Sequence, residues 1–255
     1  MILTFRFSTR SSARRQGKYG VDAPYVPALY GAAGVGLLAW ASLVTVDSRT
    51  AAPWALFFGC VALLAAGLYM YATKRGKFVV WEKLLDELAL NGDENILDLG
   101  CGRGAVLLAA ARRLHEGRAY GVDLWRTQDQ SGNGPTVTKG NAQAEGVLGR
   151  IALHTADMTQ LPFESDRFDV VVSSLAIHNV SDAVGRTAAI EEAVRVLKPG
   201  GRLIVADLRN THQYQADLQR LGLRNVTRRG AGAQMWWSGP WVRTTVVSGT
   251  KPSRR

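Results

Sequence analysis

At 255 residues the chain has room for one domain of ordinary size plus an appendage. Lys and Arg total 31 against 21 Asp and Glu, a net charge of +10, so an anionic partner is expected, either nucleic acid or an acidic membrane face. The only cysteines are Cys60 and Cys101, which excludes a disulfide framework, and clustered Cys/His spacing is absent, so no metal is expected.

Residues 1–25 are basic and unpatterned (Arg6, Arg10, Arg14, Arg15, Lys18). They read as a weakly ordered arm, with an Arg- and Ser-rich presequence as the other reading. Two charge-free apolar runs follow, at 26–46 and 51–71. Each is long enough to cross a hydrocarbon core of about 30 Å as a helix. Asp47-Ser48-Arg49-Thr50 separates them, and Pro53 sits where a second helix begins. Tyr25, Tyr30, Trp54, Tyr69 and Tyr71 lie near the ends of the runs, as in an aromatic belt. The expectation is a membrane hairpin over 26–73, against the alternatives of buried core helices or a signal sequence. Small residues spaced i, i+4 (Ala28, Ala32, Gly36; Ala55, Gly59; Ala62, Ala66) allow close packing within the hairpin or with a second copy of the chain. Arg14, Arg15 and Lys18 before the hairpin, and Lys74, Arg75 and Lys77 after it, place both ends on the cytoplasmic side, against anionic headgroups.

From 74 to 255 the pattern changes. Phe78, Trp81, Leu84, Leu85 and Leu88 recur at helical spacing, and Asn91-Gly92 ends that helix. Strand and helix patterns then alternate, which argues for a largely parallel sheet covered on both faces. The first strand runs through Ile96-Leu97-Asp98-Leu99 into the alternating glycines Gly100, Gly102 and Gly104, and a helix follows over 105–114. Such a turn lets the backbone bend sharply and a ligand approach closely, and the helix start offers N–H groups to an anionic group. A second strand, 118–124, ends in Asp123, where a ribose hydroxyl pair would be held; capping the next segment is the plain alternative. The polar loop 125–135 lies at that strand's carboxyl end, near the ligand. Further strands are expected at 150–156, 168–174, 202–208, 224–229 and 244–247, with helices at 136–146, 185–197 and 211–221.

Five motifs in order then resemble the class I S-adenosylmethionine-dependent methyltransferases: the turn at Asp98–Gly104, Asp123, Asp157-Met158, Phe168-Asp169-Val170-Val171, and Leu197–Leu203. Residues 96–104, 156–162 and 197–203 are most similar to the quinone-ring and related small-molecule branch. The resemblance implies a Rossmann-like seven-stranded, mostly parallel α/β sheet of order 3-2-1-4-5-7-6, with the seventh strand antiparallel and S-adenosylmethionine as cofactor. By position, it implies that the Gly100–Gly104 backbone, Cys101 included, cradles the methionine end, with Asp98 toward its ammonium. Asp123 would take the ribose hydroxyls, Leu124 would flank the adenine, Asp157 would take its amino group and Met158 would pack by the ring. Ser173 or Ser174 would face the methionine portion.

Methyl transfer from a sulfonium is an in-line displacement, so the protein's tasks are alignment and exclusion of water. His178, after the fourth strand, is the first candidate for a catalytic or substrate-orienting group, able to take a proton from a phenol, enol or acid. His212 and Tyr214 are further candidates. The Trp236, Trp237 and Trp241 cluster is open to three readings: stacking on substrate, dipping into the membrane interface, or packing on the sheet edge. The expected partner is a small, lipid-soluble acceptor and not nucleic acid. Amino-directed nucleic-acid methyltransferases carry Asn/Asp-Pro-Pro-aromatic where this chain has Ser173-Ser174-Leu175-Ala176. A nucleic-acid or protein methyltransferase and a nicotinamide-dependent oxidoreductase remain the alternatives.

Overall fold

The structure, a computed structural model, describes residues 15–43 and 51–253. The arm before residue 15, the turn 47–50 and positions 44–46 of the first expected span lie outside the described residues.

Two apolar helices come first, α1 (Tyr25–Leu43) and α2 (Ala51–Tyr71). Both are long and apolar enough to cross a membrane, and most of their surface is open. They meet where Gly34 and Gly59 face each other: a Cβ on Gly34 would lie 3.0 Å from the Gly59 carbonyl, and one on Gly59 would lie 3.2 Å from the Gly34 carbonyl. This departs from the expected contact stripe. Ala28, Ala32 and Gly36 face outward, while Ala55 and Gly59 are buried. Close approach selects the position with no side chain directly opposite another, and on α1 that is Gly34.

The second apolar helix does not stop at its expected end. A π-turn, Ala72–Gly76, carries α2 straight into α3 (Lys77–Asp86), making one continuous helix of 36 residues. Its apolar upper part becomes, below the π-turn, an amphipathic helix that buries Phe78, Trp81, Leu84 and Leu85 in the domain core. At the junction Gly76 lies against the backbone of Gln234, where a Cβ would sit 1.7 Å from the carbonyl oxygen. Gly76→Ala therefore sets a helix-propensity gain of about 1 kcal/mol against an overpacking cost of about 1–3 kcal/mol. The clash is with backbone and cannot rotate away, so net destabilisation is expected in chemical denaturation.

The sheet contains β1 (Asn95–Leu99), β2 (Arg118–Asp123), β3 (Ile151–Thr155), β4 (Phe168–Ser174), β5 (Leu197–Asp207), β6 (Arg224–Gly230) and β7 (Thr245–Thr250). Its order is β3-β2-β1-β4-β5-β7-β6, with β7 antiparallel to both neighbours, as the resemblance implies. Alternation along β1 sends Ile96 and Asp98 to one face and Leu97 and Leu99 to the other. The first face packs on α3 and α4 (Ala105–Ala111), the second on α6 (Ala183–Val196) and α7 (Thr211–Arg220). A shorter helix, α5 (Pro135–Ala144), follows β2. β5 begins at Leu197, earlier than expected, because that residue already pairs with Phe168 before the Lys198-Pro199-Gly200 irregularity. β7 runs on to Thr250 because Arg202 and Arg224 both pair with it there.

The described end of the basic arm is not loose. The Lys18 N–H donates to Asn141 Oδ1 at 2.7 Å, the Tyr19 hydroxyl donates to Glu145 at 2.8 Å, and Val21 and Ser131 exchange hydrogen bonds. Asp22 then ties the arm to the helical junction: its carboxylate accepts from Thr73 Oγ1 and Lys77 Nζ, each at 2.6 Å, and from Gln130 Nε2 at 2.9 Å. Lys77, expected at the lipid headgroups, is buried by this pair, whereas Lys74 and Arg75 are exposed. Tyr69 is likewise not on the outer belt. It packs edge-to-face on Trp237 and donates to the Asp22 carbonyl.

Candidate active site

A cavity of about 410 Å³ opens at the carboxyl ends of β1, β2 and β4. This is the point where the chain leaves β1 for one face of the sheet and β4 for the other, the usual ligand crevice of open α/β sheets. Asp98, Gly100, Cys101, Gly102, Asp123, Leu124, Asp157, Met158, Ser174 and His178 all line it. Four residues expected to bind cofactor or take part in catalysis do not. Gly104 lies behind the turn against Leu108 and Thr138. Ser173 is buried and donates to the Leu99 carbonyl at 3.0 Å, because strand alternation turns it away from Ser174. His212 is exposed on α7. Tyr214 is buried in the core between sheet and helices, with its hydroxyl donating to Asp207.

The glycine turn needs its glycines. Gly100 and Gly102 have φ of 72° and 50°, and a Cβ on Gly100 would sit 2.2 Å from that of Ala176. The turn's own N–H groups are bonded within the protein, which leaves the helix start after Gly104 as the place where N–H groups could meet a ligand. Gly100 and Cys101 donate to the Val122 carbonyl, Gly102 to Asp123 Oδ2, Arg103 to Gln130 Oε1 and Gly104 to the Cys101 carbonyl. The turn is a pre-tied shelf that allows close approach, and α5 braces it from below through Thr138 and Asn141. Burial raises the Cys101 thiol well above its usual range, so it is a lining group and not a thiolate.

Asp98 is the outlying group. It is buried, and neither carboxylate oxygen has a hydrogen-bond partner. Burial, with the charge of Asp123 adding to it, pushes its pKa up to about 8. Only the Leu107 backbone N–H works against that rise, so this buried acid lining a cavity keeps acceptor capacity for a cationic group. Asp123 accepts from Gly102 N–H at 2.7 Å and Trp125 N–H at 2.6 Å, which holds the end of β2 against the turn. Asp157, on the surface, uses Oδ1 for the Thr159 N–H and hydroxyl. Asp129, in the loop after β2, also lines the cavity, and partial burial raises its carboxyl.

The lining also has apolar members: Tyr25, Tyr69, Leu175, Leu208 and Trp237. The tryptophans separate. Trp237 is buried with its indole N–H on Thr244, whereas Trp241 is 70% exposed. Leu175 adopts φ of 56°, a left-handed conformation rare for a branched side chain. It turns the chain after β4 into the short 3₁₀ segment Ile177–Asn179 that carries His178. His178 is held by Asp207, a residue that sequence reasoning missed; its only signal was an acid at the carboxyl end of a strand.

Residues 97–205 match the family model described as "Methyltransferase domain". Among curated relatives, the ubiquinone/menaquinone biosynthesis C-methyltransferase UbiE of Syntrophotalea carbinolica is 35% identical over 150 residues, covering 57% of each chain. The 2-phytyl-1,4-naphtoquinone methyltransferase of Trichormus variabilis is 30% identical over 142 residues, 55% of this chain and 58% of the relative. The chain thus spans little more than half the length of these two relatives. Among solved structures, an S-adenosylmethionine-dependent methyltransferase from Aquifex aeolicus shares the fold at 18% identity, with a TM-score of 0.53 over 67% of this chain and 88% of that one. S-adenosylmethionine, the cofactor named for that structure, fits the residues present here, since Asp98 offers a buried carboxyl for its ammonium and the glycine shelf offers a surface on which its methionine end can lie.

Proposed function

We propose that the chain is a membrane-anchored methyltransferase that moves a methyl group from S-adenosylmethionine to a small, apolar, lipid-soluble acceptor. The observation that carries this is the make-up of the cavity lining. It joins the strand-end acids to apolar groups that include Tyr25 and Tyr69 at the feet of α1 and α2. In the proposal these helices cross the bilayer as a hairpin, with both ends and the catalytic domain on the cytoplasmic side and Lys74 and Arg75 at anionic headgroups. An acceptor dissolved in the membrane then reaches the cavity at the hairpin's foot. A second copy of the chain would pack on the outward stripe of Ala28, Ala32 and Gly36.

When bound, the cofactor supplies an electrophilic methyl on a sulfonium that leaves as a neutral thioether. Asp98 pairs with the ammonium, Asp123 accepts from the ribose hydroxyls and Asp157 takes the adenine amino group. Leu124 and Met158 flank the adenine. Gly100, Cys101 and Gly102 let the methionine end lie close to the backbone, and Ser174, its Oγ fixed by the Trp81 indole N–H at 2.8 Å, faces the same portion. Trp237 and Leu175 exclude water from the reacting atoms, and His178 faces the acceptor. The two curated relatives named above are, by name, a methyltransferase of ubiquinone/menaquinone biosynthesis and a phytyl-naphtoquinone methyltransferase, and molecules of that kind are apolar and partition into lipid. Incubating the full chain in native-membrane vesicles with radiolabelled methyl donor should label an organic-extractable small molecule. Label confined to protein or nucleic acid would overturn the reading.

A further inference from the structure

Asp207 ends β5 and is fully buried. Its two oxygens collect an unusual set of partners. Oδ2 accepts the His178 backbone N–H at 3.1 Å and the Tyr214 hydroxyl at 3.3 Å; Oδ1 accepts the Leu208 backbone N–H at 2.7 Å and also meets His178 Nδ1. The carboxylate thus grips one histidine at two points, by backbone and by ring, while Tyr214 and Leu208 keep the carboxylate from turning. His178 Nε2, at the other end of the ring, has no hydrogen-bond partner among the described residues, and the residue lines the cavity, as do Leu175, Leu208, Trp237 and Asp129, whose charge interacts with it.

An ionised carboxylate only accepts hydrogen bonds, so the ring nitrogen facing it is the one that carries hydrogen, and the far nitrogen keeps a lone pair. We propose that Asp207 is the positioning residue that makes His178 a base, and that the acceptor is protic: an otherwise apolar molecule bearing a phenol- or enol-type hydroxyl. This rests on the methyltransferase reading. In the step, His178 Nε2 takes the hydroxyl proton and the O–H pair stays with the acceptor. The resulting conjugated anion forms the bond to the methyl carbon, and the departing sulfur keeps the pair of the bond that breaks. The imidazolium so formed is neutralised across Nδ1–H by Asp207. A base held this rigidly has a task only where a proton must leave, which is why the geometry points to a hydroxyl and not to a nucleophile that already bears free charge.

Long-range proton–nitrogen correlation spectra of the full chain in nanodiscs, with nitrogen-15-labelled histidine, test this directly. His178→Gln assigns the signal among the four histidines. The wild type is expected to show His178 in the Nδ1–H tautomer. Asp207→Asn, which puts an amide N–H among these donors, is expected to lower methyl transfer to membrane extract about 100-fold or more while leaving S-adenosylhomocysteine affinity within about twofold, because Asp207 does not line the cavity. Tyr214→Phe is expected to keep the tautomer. An Nε2–H tautomer in an active wild type, or undiminished transfer by Asp207→Asn, overturns the inference and leaves the methyltransferase reading intact. A wild type with the expected tautomer that binds no S-adenosylhomocysteine overturns the methyltransferase reading, and the protic acceptor falls with it.

Discussion

Asp98→Asn is expected to raise the melting temperature of the ligand-free protein at pH 8–9 and, in the same preparation, to weaken cofactor binding about 30-fold or more. The first effect follows from the buried, unpartnered carboxylate, whose pKa is about 8 against an ordinary value of about 3.9. Between those two values the folded chain holds a proton that the unfolded chain has released. Stability of the ligand-free wild type therefore falls as pH rises through the window. Asparagine cannot ionise, so the variant escapes this loss and the difference shrinks toward pH 5. The second effect follows because the ammonium loses its charge partner, and truncating one side of a buried charge pair costs about 2–5 kcal/mol. The wild type should also bind more tightly as pH rises toward 8, by up to about tenfold per unit, because binding displaces the Asp98 proton. Damage to the fold alone would lower both quantities together.

The second large effect is structural. Asp22→Ala should cost about 3–5 kcal/mol, because it leaves the Lys77 ammonium buried without its counter-charge. The pair is 2.6 Å apart, with the Lys77 side chain 5% and the Asp22 side chain 19% exposed. Asp22→Ala combined with Lys77→Met removes both charges and should recover at least half of the loss in chemical denaturation. A loss as large in the double variant as in the single would show that the charge is not the cause. Asp22 also holds Gln130, whose Oε1 braces the glycine turn at Arg103. Cofactor affinity should therefore fall in Asp22→Ala, although Asp22 belongs to the arm and not to the sheet.

The sheet and its order were legible in the sequence because alternating apolar strands, glycine turns and strand-end acids are local patterns. The same patterns located most of the cavity: Asp98, Asp123, Asp157 and His178 each sit where a strand runs out at its carboxyl end. What stayed hidden depends on contacts between distant residues. Lys77 reads as one of three basic flanking residues, and only its pairing with Asp22 takes it out of the headgroup layer. Tyr69 reads as a belt residue until Trp237 packs on it. Ser173 and Ser174 are equivalent as letters, and the one-residue alternation of β4 decides which reaches the cavity. Asp207 resembles any acid ending a strand, and Tyr214 reads as a candidate for the cavity and not as a partner of that acid; their meeting at His178 required β4, β5 and α7 to be assembled. The exposed stripe of Ala28, Ala32 and Gly36 shows the same limit, since helical spacing identifies a face but not what it touches.

The central claim is that one adenosyl-sulfonium molecule is held between the glycine turn and the acids Asp98, Asp123 and Asp157. Calorimetric titration of S-adenosylhomocysteine into the full chain in nanodiscs tests it most directly, with nicotinamide adenine dinucleotide titrated in parallel. The expected result is saturable one-site binding that tightens from pH 6.5 to pH 8, with no heat from the dinucleotide. Binding of the dinucleotide without binding of S-adenosylhomocysteine, or no binding of either, would contradict it.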